Sequence, residues 1–246
     1  MLRWLTIGLF CYANAFANNL IQIQGGTYTP LFGKERSVQV PMFYMDEHAV
    51  TNQDYADFVK KNPHWRKGKA PAIFVDSDYL KQWSSDQSVG NRALEKSPVV
   101  HVSWFSAKAY CESKGEQLPT IAQWEYVSQF GPAHQTKDVE SVILEWYSKP
   151  TPAVLPHVRS TFKNKFGVWD VHGLIWEWTR DFNTTFVTGE SRADASLEKS
   201  MFCGSGATGS PNPSDYAGFM RFGFRSSLKG NYTIGNLGFR CVKEKK

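Results

Sequence analysis

Phe166-Gly167-Val168-Trp169-Asp170-Val171-His172-Gly173-Leu174-Ile175-Trp176-Glu177-Trp178 sets three tryptophans and a glutamate around Gly173. Indole rings on both sides of a glycine turn would bury a large aromatic area where two chain segments cross. Glu177 stands between two of those tryptophans and reads as a partly buried hydrogen-bond acceptor, since a carboxylate taken out of water persists when it is paired. Glu125, in Trp124-Glu125-Tyr126, reads the same way.

Working outward, the sequence punctuates its elements clearly. Ile21-Gln22-Ile23 alternates like a strand and Gly25-Gly26 ends it. Thr51 is placed to cap a helix whose Val50, Tyr55, Phe58 and Val59 share one face. A second helix is expected over 103–114, with Trp104, Ala107, Ala109, Tyr110 and Cys111 turned inward and Gly115 as its stop. Thr120 caps a third, running to Gln129, in which Trp124, Tyr126 and Val127 pack. Beyond it the chain reads as short strand-like pieces between Gly, Asn and Ser. No repeat or linker divides it, so the expectation is one compact α+β domain over residues 18–246 with much irregular backbone.

The chain has 246 residues, 41% of them apolar and 21% charged, which excludes general disorder. A net charge of +5 is too small to argue for nucleic acid. The densest basic stretch, from Lys60 to Lys69, reads as a solvated loop. Residues 1–17 read as a signal peptide: Arg3, a short apolar stretch over 4–13, and Ala15-Phe16-Ala17 before Asn18. A periplasmic or secreted protein is therefore expected, with no transmembrane segment left after cleavage. Cleavage would remove Cys11 and leave Cys111, Cys203 and Cys241; an oxidising compartment favours closing one pair, and spacing alone leaves three pairings open. The histidines are scattered without metal-ligand spacing, so no zinc site is argued.

Several segments resemble the formylglycine-generating enzymes, also called sulfatase-modifying factors. Val50-Thr51-Asn52 with Tyr55 and Phe58, Val99–Trp104 with Ala107–Cys111, Leu118-Pro119-Thr120 with Trp124-Glu125-Tyr126, the 166–178 stretch, and Asn236-Leu237-Gly238-Phe239-Arg240 are similar to that family's motifs in the same order. The resemblance spans roughly residues 20–242 and implies the family's fold, distantly like C-type lectins. It also implies a disulfide between Cys111 and Cys241. It implies a calcium ion held by the Glu177 carboxylate and the backbone carbonyls of His172, Gly173 and Ile175, although Leu174 stands where the family has Asn.

The same resemblance sets a catalytic expectation. Family members that make formylglycine hold copper(I) between two cysteines, because soft thiolates select that ion. Counted back from Arg221 and Arg225-Ser226, those two places carry Asn212 and Ala217. A dithiolate copper site is therefore not expected. Cys203 is the remaining candidate for chemistry; Met201 beside it offers a second soft ligand, and His172 or Met220 could complete such a site. Arg221, Arg225 and Asn236 are expected to line a polar groove, the alternative being arginines that only brace loops. The last stretch looks more like the nitrite-reductase-linked NirV-type branch. Two functions follow from the resemblance: an exported accessory or binding protein for another exported protein or peptide, such as a copper enzyme, or an oxidase acting on a peptide or small thiol through a non-standard site.

Overall fold

The computed structural model describes residues 19–30, 37–133, 139–183, 220–221 and 223–245. Three antiparallel strands, β1 (Leu20–Ile23), β4 (Phe43–Asp46) and β7 (Val242–Glu244), form a sheet in the order β1-β4-β7, which brings the first and last described strands to either side of β4. A hairpin of β2 (Gly26–Tyr28) and β3 (Val38–Val40) stands beside it. Met45 lies opposite Ile21 on β1 and Val242 on β7, and with Phe43 it anchors a core with Val127, Val168 and Val171.

Helices α1 (Asn52–Lys61), α2 (Trp104–Ser113) and α3 (Ile121–Ser128) start where the caps place them. Thr51 and Thr120 both close capping boxes, with Asp54 and Gln123 respectively, and Ser103 caps α2 through the Ser106 amide. Each such cap is worth about 1 kcal/mol. Tyr55 is the hub of the larger core: its ring meets Phe58, Trp83, Tyr110 and Phe239, and its hydroxyl lies 2.7 Å from that of Tyr79. A disulfide joins Cys111 of α2 to Cys241, just before β7.

A fourth helix, α4 (Val139–Tyr147), corrects the expectation of strand-like pieces beyond residue 129. Val139 and Ile143 are buried on one face, and Trp146 and Tyr147 at its end reach the 166–178 stretch.

That stretch crosses the closing segment as two short parallel strands, β5 (Trp176–Glu177) and β6 (Leu237–Gly238). Gly238 is what permits the crossing: a side chain there would run into the Val99 carbonyl oxygen and, at 2.7 Å, into Ile175. Gly173 turns the chain at φ +94, where a side chain would also press on Thr161 at 3.2 Å. Trp178 is fully buried and donates through its indole N–H to the Val102 carbonyl at 2.9 Å.

Candidate functional site

The node of the molecule is a buried ion pair at that crossing. Arg240, brought in by the residues after β6, donates from Nε and Nη2 to the two oxygens of Glu177 at 2.8 and 2.7 Å. Its remaining reach goes to the carbonyls of Trp169 at 3.0 Å and Asp46 at 3.3 Å. Trp124 of α3 adds its indole N–H to Glu177 at 2.8 Å. Both side chains of the pair are fully buried, so each charge depends on the other. Glu177 is thus the paired acceptor that its setting between tryptophans suggests.

This geometry does not fit calcium drawn by Glu177. The carboxylate already carries three N–H donors and its charge is matched by a guanidinium, so an ion there would have to displace Arg240 from a dry site. The His172 carbonyl, a second expected ligand, accepts from the Thr161 hydroxyl at 3.1 Å.

Glu125, one residue on from Trp124, collects two more arginines. Arg225 Nη1 lies 2.7 Å and Arg221 Nη2 3.1 Å from the same Glu125 oxygen, and both guanidiniums stand 5.1 to 5.2 Å from the centre of the Trp124 ring. Burial pushes the Glu125 carboxyl upward, but the two arginines outweigh it and hold it below the usual range. The expected groove arginines are therefore bracing residues at these atoms, with a carboxylate rather than backbone carbonyls in their forks. The two cations exceed the one anion, and Arg221 Nε and Nη1 have no partner among the described residues.

His172 packs edge-on against Trp124 and meets the Ser128 carbonyl at 2.9 Å. Burial and Arg221 push its pKa down to about 3, so the ring is neutral. Its Nδ1 has no partner among the described residues. Met220 is partly exposed. Cys203, Met201, Asn212 and Ala217, and residues 1–17, for which a signal peptide is expected, lie outside the described residues.

Next to the arginines lies an aromatic wall. The Trp176 ring stacks on Tyr147 at 5.1 Å and 18°, and on Phe224 at 4.2 Å, with Trp146 at 5.4 Å. All four rings are partly exposed. Trp176 also donates its backbone N–H to the Asn236 carbonyl, while the Asn236 amide turns to the Thr151 hydroxyl at 3.1 Å. Asn236 is thus joined to the wall through Trp176, with its side chain directed to Thr151. Sequence reading missed Trp146 and Tyr147 because it missed α4. Apolar residues at 139, 142, 143, 146 and 147, at helical spacing, were the available signal. The Cys111–Cys241 pairing agrees with the one implied by resemblance.

Comparison with known proteins agrees with this picture. Residues 12–245 match the sulfatase-modifying factor enzyme 1-like domain. The chain is 30% identical to a formylglycine-generating enzyme of Streptomyces coelicolor, covering 85% of this chain and 80% of the relative. It is 26% identical to the inactive C-alpha-formylglycine-generating enzyme 2 of Bos taurus, over 98% of this chain and 91% of that one. Among solved structures, PvdO from Pseudomonas aeruginosa shares the fold at a TM-score of 0.53 and 15% identity, covering 94% of this chain and 96% of its own. The chain belongs to the family of the sulfatase-modifying factor enzyme 1-like domain.

Proposed function

We propose that this protein is an exported member of the family that does not generate formylglycine and serves as an accessory or binding protein for another exported enzyme, such as a copper enzyme. The observation that carries the reading is chemical: counted back from Arg221 and Arg225-Ser226, as the resemblance implies, the two places where formylglycine-making relatives need thiolates carry Asn212 and Ala217. Neither an amide nor a methyl group holds copper(I). Similarity to a relative named inactive, over nearly the whole chain, supports the same reading. The partly exposed rings of Trp146, Tyr147, Trp176 and Phe224 are the surface we assign to the partner, since aromatic side chains offer large contact area at low entropic cost.

Export is tested by N-terminal sequencing of the periplasmic fraction, with Asn18 as the expected first residue. The missing metal site is tested by competing the full chain against bicinchoninate for copper(I) under reducing conditions. The chelator is expected to keep its copper. Transfer of one equivalent to the protein, unchanged in a Cys203→Ala variant, would refute the reading, because a copper site would then exist without the thiols on which its absence is argued.

A further inference from the structure

A separate cleft with room for about 110 Å³ lies near the Asn236–Thr151 contact, with Gln82, His101 and Gly235 among its lining residues. Gln82 donates its amide N–H to the Val100 carbonyl at 3.2 Å, which leaves its buried Oε1 with no partner among the described residues. His101 has a backbone carbonyl, that of Thr233, as its hydrogen-bond partner, and its Nε2 lies toward Gly235, where an added Cβ would come within 3.1 Å. Its buried Nδ1 has no partner among the described residues. In the tautomer with the ring proton on Nε2, Nδ1 presents a lone pair. Burial lowers the pKa of the ring and keeps it neutral.

The backbone that aims this ring is strained. His101 sits at φ +56, held from both sides by its N–H to the Ile234 carbonyl and its own carbonyl to the Leu80 N–H. Leu80 is itself at φ +50. Two such residues back to back cost about 1–3 kcal/mol each, and strain of this kind gathers at ligand-binding positions.

The two polar side-chain atoms of the cleft that lack a partner among the described residues, Gln82 Oε1 and His101 Nδ1, are both placed to accept. Asn52 gives its amide N–H groups to the carbonyls of Leu94, Ser97 and Pro98 and takes the Trp83 indole N–H on its oxygen. Ser97 donates to the Leu155 carbonyl. A carboxamide would set a third acceptor, its own carbonyl, beside Gln82 Oε1 and His101 Nδ1, and a guanidinium would bring five donors to two free acceptors. An ammonium is donor-only and compact. Leu94, Val154 and Leu155 offer apolar contact for an alkyl stem, and Val154 is 65% exposed. Asp76 and Asp78 act on His101 in the sense that favours positive charge, against Lys81.

We propose that this cleft binds a primary alkylammonium group of lysine-head size, with Gln82 Oε1 and His101 Nδ1 as its acceptors. The proposal goes beyond the accessory reading and does not depend on it. The test follows the imidazole nitrogen resonances of the full chain while n-butylammonium is added, with butyramide as the neutral control and N-acetyl-lysine methylamide as the peptide form. A saturable shift at His101 Nδ1 is expected with both amines and not with butyramide. Gln82→Leu should weaken binding about tenfold, the loss of one hydrogen bond to a charged donor. Val154→Glu, on the exposed rim and harmless to the core, should tighten the amines and leave butyramide unchanged. Absence of a saturable shift, equal binding of butyramide, or amine affinities indifferent to either substitution would overturn the proposal.

Discussion

Arg240→Met is the sharpest perturbation of the fold. Methionine fills much of the same volume but leaves Glu177 as a buried charge with Trp124 as its one remaining donor of three, and strips a donor from the Trp169 and Asp46 carbonyls. Both partners are fully buried, so the cost is that of breaking a dry pair, about 3–5 kcal/mol. Glu177→Gln should cost a similar amount by stranding Arg240. The double variant should cost about 2 kcal/mol or more less than the sum, because neither uncompensated charge remains and the amide oxygen introduced by Glu177→Gln can still accept from Trp124. Urea unfolding of the four proteins under oxidising conditions measures this. Single-variant losses below about 1 kcal/mol, or additivity within about 0.5 kcal/mol, would refute the idea that this pair ties the two segments together.

Removing the disulfide with Cys111→Ser and Cys241→Ser should cost about 5 kcal/mol by the chain-entropy argument for a separation of 130 residues, read by the same urea titration. Burial pushes the Asp46 carboxyl up to about 7, against the pull of Lys114. Its contribution is therefore fully present below the ordinary carboxylate range and is lost as pH rises through about 7; Asp46→Asn should flatten that fall and be the more stable protein at pH 8. His172 acts with the opposite sign: depressed to about 3, it contributes stability above the ordinary histidine value that is lost toward acid, so His172→Gln should unfold less readily than the native chain as pH falls below about 6. Melting temperature should be indifferent to chelator and to added calcium, and a calcium-dependent rise would show that a site forms in spite of the Arg240 pair.

What could be read from the sequence follows the range of the interactions involved. Thr51, Ser103 and Thr120 act on backbone three residues away, so their helices are legible in the sequence itself. Helix α4 is not, because Val-Ile-Leu-Glu-Trp-Tyr is rich in β-branched and aromatic residues and a short apolar run of that kind is ambiguous between strand and helix. Glu125 and Glu177 could be recognised as paired carboxylates from their tryptophan neighbours, but not their partners, which lie 100 and 63 residues downstream. That distance is also why Arg221 and Arg225 looked free to line a groove. The cysteine pairing came from resemblance, since spacing left three choices.

The most direct test is mass analysis of a Cys-x-Pro-x-Arg peptide after incubation with the purified full chain, copper and oxygen. The peptide is expected to emerge with its thiol intact, with or without the metal. Conversion of its CH₂–SH to an aldehyde, abolished by Cys203→Ala, would contradict the account and show that one thiol suffices.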